Sequence, residues 1–210
     1  MLHLLLRKER SLMASEFSPP AGRDEYLLAQ VREAFGRVVY SQKTHEKQAD
    51  LCFTKHRWQQ GLLVGFTAVS TGTFLVAVLG LVSNPILTSL ATSAIALIVS
   101  ALSLAAKSFR FGEESDAHRD IASRLWDVRE SYLSLISDLM SGAVSGPDAR
   151  ARRDDLQAAA LKAYAEAPRT TDKAYSKAQD GLKNNEELTF TSREIDLFLP
   201  EGLRLDEREP

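Results

Sequence analysis

The chain of 210 residues is nearly neutral, with 26 Lys and Arg against 28 Asp and Glu, which removes the electrostatic case for a nucleic-acid partner. Its single cysteine, Cys52, excludes an internal disulfide and any multi-cysteine metal site. The mean hydropathy of −0.18 averages a polar majority with residues 58–106, which contain no Asp, Glu, Lys or Arg.

The opening segment MLHLLLRKER has an apolar run too short for a signal-peptide core and no basic region ahead of it. Met13 is an alternative start to Met1, and residues 1–23 read as a disordered N-terminal segment broken by Pro19, Pro20 and Gly22. A helix is expected from about Asp24, because Leu27, Val31, Ala34 and Val38 recur at steps of four, three and four, with Phe35 and Val39 widening the face. From Ser41 to Asp50 the sequence turns polar, yet nothing up to residue 60 breaks a helix.

The charge-free stretch divides into two spans, Gly61–Val82 and Ile86–Ala106, separated by the turn formers Ser83, Asn84 and Pro85. At helical rise each span is roughly 31–33 Å long, against a hydrocarbon core of about 30 Å. The pattern predicts a tight transmembrane hairpin. A hairpin buried in a soluble bundle is the alternative, and it asks a small, mostly polar remainder to wrap two all-apolar helices. Lys43, Lys47, Lys55 and Arg57 precede the first span and Lys107 and Arg110 follow the second, so both termini are expected to be cytoplasmic. Arg57, Trp58 and Phe109 are the expected membrane-interface residues.

Beyond Gly112, Ile121, Leu125, Val128, Tyr132, Leu135 and Leu139 alternate steps of four and three, a seam about three heptads long. Trp126, Leu133, Ile136 and Met140 form a second apolar flank. The antiparallel hairpin returns this helix beside residues 24–57, where the two seams pack as a cytosolic stalk. Residues 24–141 thus read as the hairpin unit and 142–200 as C-terminal cytosolic helices. Asp148 is the expected cap of a helix at 149–166 whose face is Leu156, Ala160, Ala163 and Ala167. Thr171 caps another through Leu182, and Ser192 opens a short one with Ile195, Phe198 and Leu199 as anchors. Residues 201–210 read as a frayed tail. The fold class is an all-α membrane protein, with no convincing strand.

Motifs for chemistry are lacking. His45-Glu46 lacks the second histidine that a zinc-protease helix needs, since position 49 is Ala. Asp116, His118 and Asp120 are two apart and do not share a helix face. His45 falls on the continuation of the Val31/Val38 face, and Cys52 reads as a small packing residue. Arg150, Arg152 and Arg153 form a small basic patch, read as a solvated face. No phosphate loop is present, no cofactor is called for, and the chain reads as a non-enzyme.

Within the second span Ser89, Ser93, Ala96, Ser100 and Ser103 form a stripe that continues to Lys107 and Arg110. Ser70, Thr73, Ala77 and Gly80 make a similar stripe in the first span, and Gly61-x-x-x-Gly65 is a close-approach site. One such stripe serves helix packing; Thr67, Thr71 and Thr92 lie on a second face of the kind an oligomer would use. The Ser89–Arg110 stripe is therefore the candidate pore lining. Gly61 and Gly65, with the Ile121–Leu139 seam, are the candidate packing residues. No ionisable residue lies mid-span, which argues against a proton relay, pump or voltage sensor.

Several segments resemble the SLATT family of two-helix membrane effectors associated with bacterial nucleotide signalling. These are Gly36–Asp50 (GRVVYSQKTHEKQAD), the hairpin, Phe111–His118 (FGEESDAH), Ala122–Trp126 (ASRLW), Arg129–Tyr132 (RESY) and Ser192–Ile195 (SREI). The resemblance covers most of residues 24–200. It implies an anti-phage role at the bacterial inner membrane, as a homo-oligomer that forms pores or disrupts the bilayer and kills the infected cell. It also implies a nucleotide second messenger or a neighbouring sensor protein as trigger, and it offers no catalytic residues. The alternative is a non-conducting membrane anchor that scaffolds a cytosolic sensor or partner.

Overall fold

A computed structural model describes residues 22–70, 85–201 and 204. Among these the regular elements are six α-helices, with no strand: α1 Gly22–Ser70, α2 Pro85–Ser108, α3 Phe111–Ser141, α4 Gly146–Glu166, α5 Asp172–Lys183 and α6 Ser192–Phe198. Residues 71–82 of the first expected span, with Thr71, Thr73, Ala77 and Gly80, lie outside the described residues. So do Ser83 and Asn84 of the turn, the segment 1–21 and most of the tail.

α1 begins two residues before the expected Asp24 and runs without a break through the polar 41–50 segment into the apolar Gly61–Ser70. α2 starts on Pro85, a residue whose fixed φ and missing N–H suit a first turn. The chain then breaks at Phe109 and Arg110, two residues ahead of Gly112. Gly112 instead lies inside α3, where a Cβ would come within 3.2 Å of the His56 ring. Its value is close approach rather than helix termination. At the far end of α3, Gly142 takes φ +70° while Gly142 N–H donates to Leu139 O and Ala143 N–H to Asp138 O, a left-handed C-terminal stop.

One helix cap lies three residues from its expected position. Ser145 rather than Asp148 takes the capping position of α4, its hydroxyl accepting from Asp148 N at 3.3 Å and donating to the Asp148 carboxylate at 2.6 Å. α6 opens at Ser192 as expected, capped by Thr191 in a reciprocal box with Glu194 whose hydrogen bonds pull that carboxyl below its usual range. Thr171 caps α5 as expected from sequence.

The chain divides into two compact units. The first combines α1 up to Val39, α3 from Leu125 and α4 to Ala165. It buries Leu27, Val31, Ala34 and Val38 of α1, Leu125, Val128, Tyr132 and Leu135 of α3, and Ala149, Ala160 and Ala163 of α4. Leu139 is half-buried, while Trp126, Leu133 and Met140 of the second flank face outward. Arg152 and Arg153 do not form a free basic face: Arg152 donates to Asp138 at 2.8 Å and Arg153 to Gln30 at 2.7 Å, tying α4 to α3 and α1.

The second unit holds α1 from Tyr40, α2, α3 up to Arg124 and the described chain from Glu166 onward. Arg124 bridges to Glu166 across it. The small face of α5, Ala174, Ala178 and Gly181, is buried. In α6 the anchors expected at Ile195 and Phe198 are exposed and Leu199 is half-buried, whereas Asp196 is the buried residue.

Candidate membrane helix and buried polar core

α2 is the apolar element of the second unit. It heads the one described helical stretch long and apolar enough to cross a bilayer by length and composition, and no part of that apolar window is buried. Uncovered Ile86, Leu87, Leu90, Leu97, Ile98 and Leu104 would each lose favourable transfer free energy in water, about 1.5–3 kcal/mol per large side chain. A helix in this state is solvated by lipid or by other protein.

The faces of α2 are not equivalent. Thr88, Ala91, Ile95, Val99, Leu102 and Ala106 are half-covered and repeat at helical spacing, with Ser103 and Ala105 half-covered beside them. The candidate lining lies about 100° around the helix from that face. Ser89, Ser93, Ala96 and Ser100 are exposed, Ser103 is half-covered, and Lys107 and Arg110 are exposed, the latter paired with Glu113 at 2.8 Å. Ser89 donates to Ile86 O and Thr92 to Thr88 O, which satisfies these hydroxyl donors inside the helix itself.

At Gly61 and Gly65 no atom of the described residues lies within 4 Å of where a Cβ would stand, so the close approach expected there is not made among the described residues. Arg57, Trp58 and Phe109 are all exposed at the polar end of the apolar segments. Phe109 stacks on Phe111 at 5.7 Å, Lys55 lies over the Phe111 ring at 5.3 Å, and Arg119 lies over Phe53 at 5.8 Å. Phe53, Thr54, Arg57 and Trp58 border a cavity of about 310 Å³.

Next to this end, α1 and α3 bury polar side chains: Gln42, Lys43, Thr44, His45 and Gln48 from α1, with Ser115 and His118 from α3. His118 has no exposed surface, and its Nδ1 lies 2.9 Å from His45 Nδ1. Such a contact needs one ring to donate and the other to accept. With His45 as donor, His118 carries its proton on Nε2, which has no hydrogen-bond partner and faces Glu114 at 4.0 Å. A further proton placed on the accepting His118 Nδ1 would leave two donors facing each other.

Burial drives both imidazoles toward neutrality. His45 is lowered to about 4, by desolvation first and by His118 second. His118 is lowered by desolvation, with Glu114 opposing. Asp116 and Asp120 point outward while His118 points in, as the two-residue spacing requires.

Every other polar group here has a designated partner. Ser115 donates to Ala49 O at 2.9 Å. Gln48 donates to Cys52 Sγ at 3.4 Å and accepts from both the amide and the hydroxyl of Thr171, at 3.1 and 2.7 Å, so α5 starts on an α1 side chain. Tyr175 of α5 stacks on Tyr40. Lys43 donates to Glu46 at 2.9 Å and to Glu187 at 2.7 Å, and Lys47 reaches both Glu187 oxygens at 2.8 and 2.9 Å. Desolvation opposes the Lys43 charge, but Glu187 and Glu46 outweigh it and hold the ammonium above its usual range; the Glu187 carboxyl is held below its own.

Cys52 is buried, and its thiol is pushed up by desolvation. A raised thiol and lowered imidazoles are the reverse of an activated thiolate–imidazolium pair. Among the described residues no group of three or more His, Cys, Asp and Glu is placed to hold a metal ion.

A family model matches residues 27–194, the SMODS and SLOG-associating 2TM effector domain family 4. The chain belongs to this family. The match spans the helices from Leu27 in α1 to the first turn of α6, so the polar core and the Lys–Glu187 contact of this SLATT chain lie inside the family domain. No curated protein and no solved structure is significantly similar to the chain. The family description names a two-transmembrane effector, which agrees with a membrane protein of defence systems and is not that of a known enzyme class.

Sequence reading alone missed the inward role of Gln42, Lys43, Gln48 and Ser115, and it gave Glu187 no role. Their signal is positional. His45, Ala49 and Cys52 continue the step of Leu27–Val38, and Ser115, His118 and Ala122 extend the Leu125–Leu135 seam backward. Polar residue type concealed a core register.

Proposed function

We propose that the chain is a two-span membrane effector, both termini cytoplasmic, that assembles as a homo-oligomer and opens or disrupts the bacterial inner membrane to kill an infected cell. The observation that carries the reading is α2: an uncovered apolar helix with a separate hydroxyl stripe, exposed from Ser89 to Ser100 and half-covered at Ser103, that leads to Lys107. A single chain has no use for that second face, whereas a ring of copies turns it toward water or toward a neighbour. Two helices enclose no water path, so conduction requires several subunits. Gly61 and Gly65, free of close contact among the described residues, are then available to a second copy. The trigger is a nucleotide second messenger or a neighbouring sensor protein.

Permeability on overexpression tests this, by dye entry in cells or current across a planar bilayer. Ser93→Leu and Ser100→Leu should dry the path and suppress leakage while insertion and oligomer size are kept. Lys107→Glu should shift selectivity toward cations. A cysteine at Ser83 in a Cys52→Ala background should react with an impermeant thiol reagent in intact cells, and one at Ser192 should not. An activated, inserted oligomer that passes neither dye nor current would move the reading to a non-conducting anchor.

A further inference from the structure

The carboxylate of Glu187 occupies a two-lysine site on α1 in an unusual way. Lys43 and Lys47 lie one turn apart, and their side chains are only 11% and 22% exposed. Ammonium groups at that depth need an anion, and Glu46 supplies one carboxylate to Lys43 alone. The second anion, Glu187, comes from the turn after α5 rather than from a regular element. Its neighbours on both sides, Glu186 and Leu188, have φ of +49° and +80°, a region costly for residues with side chains. Gly181 makes the room: a Cβ there would lie 2.9 Å from Glu187 Cδ and Oε1. Glu187 N–H donates to Gly181 O at 2.9 Å, and the flanking Leu188 and Phe190 are exposed. Hydrogen bonds to Asp180 and Gly181 brace the turn on α5, whereas the contacts with Lys43 and Lys47 are what tie Glu187 to α1.

We propose that Lys43 and Lys47 form a binding site for the phosphoryl group of a small solute, and that Glu187 is its displaceable internal occupant. While Glu187 is seated, the 184–191 turn stays closed on α1; when a phosphoryl group enters, the turn is released. A carboxylate from solution offers nothing that Glu187 does not already supply at intramolecular concentration. A phosphoryl group brings more negative charge and more acceptor oxygens to two fixed ammonium groups, which is what displacement requires. The site is independent of whether the membrane helices conduct.

The test uses the full chain in phosphatidylcholine nanodiscs, with inorganic diphosphate as probe. Binding is read by calorimetry, and release of the turn by amide exchange over residues 184–191. Diphosphate should accelerate exchange there in the wild type. Glu187→Gln should open the turn without ligand and bind diphosphate about tenfold more tightly, a factor worth about 1.4 kcal/mol. Gly181→Ala, which crowds the carboxylate from a different position, should do the same. Lys47→Met should abolish diphosphate binding with helix content unchanged by circular dichroism. Sodium chloride at matched ionic strength reproducing the diphosphate effect would overturn the proposal. So would Glu187→Gln and Gly181→Ala binding no better than wild type, or a turn that opens only in nanodiscs containing phosphatidic acid.

Discussion

Helices α1 and α3 contribute to both units with different chemistry. In the first unit they bury Leu27, Val31, Ala34 and Val38 with Leu125, Val128, Tyr132 and Leu135. In the second, the same helices at the same step bury Gln42, His45 and Gln48 with Ser115 and His118. The apolar set stabilises by area removed from water, a term indifferent to pH and tolerant of small shifts. The polar set contributes little net energy per hydrogen bond, yet it fixes register, because a slip leaves buried groups unpaired. One pair of helices thus has an unconditional region and a condition-sensitive region, and the sensitive one adjoins the apolar α2.

The largest expected effect breaks the unconditional side. Leu125 has no exposed surface, so Leu125→Glu buries an unpaired carboxylate and should cost more than about 4 kcal/mol, seen as loss of cooperative melting in detergent. Next comes acid. The folded His45 pKa of about 4 lies below the ordinary 6.5, and His118 is lowered in the same direction, so the folded state resists protonation. The stability these neutral imidazoles contribute is fully present above pH 6.5 and is lost as pH falls toward 4, by about 3 kcal/mol for His45. Thermal melts of wild type and His45→Gln between pH 7.5 and 4.5 check it, and a variant with the same acid loss as wild type would contradict it.

A smaller effect separates α5 from α1. Thr171→Ala removes a helix cap and both strands of its hydroxyl bonding to Ala174 and Gln48, and should cost about 1–2 kcal/mol. Faster amide exchange confined to residues 172–183 is the expected signature. The smallest concerns the outer face of α3. Trp126 is half exposed with Arg129 over its ring at 6.0 Å, so Trp126→Ala should cost a dispersed chain less than about 1 kcal/mol. If the oligomer uses that face, the same variant lowers the assembly state in size-exclusion light scattering while the melt barely moves.

The sequence by itself determined the helices and the membrane. Apolar residues at steps of three and four specify an amphipathic helix whatever it packs on, which is why Leu27–Val38 and Ile121–Leu135 were legible. The caps were displaced by no more than three residues, since Ser, Thr, Asp and Glu near a helix start compete for the same amides. The absence of charge between Arg57 and Lys107 is a solvent requirement written directly in residue type, and α2 is apolar and uncovered as that requires. Tertiary structure alone decided what the polar residues do. The burial of Gln48, Ser115 and His118 was not legible, because burying them is unfavourable unless partners are supplied, and those partners lie far away in sequence. Ser115 finds Ala49, Gln48 finds Thr171, and Lys47 finds Glu187. Residue type records the cost of burying a polar group; only the fold supplies the hydrogen bonds that offset it.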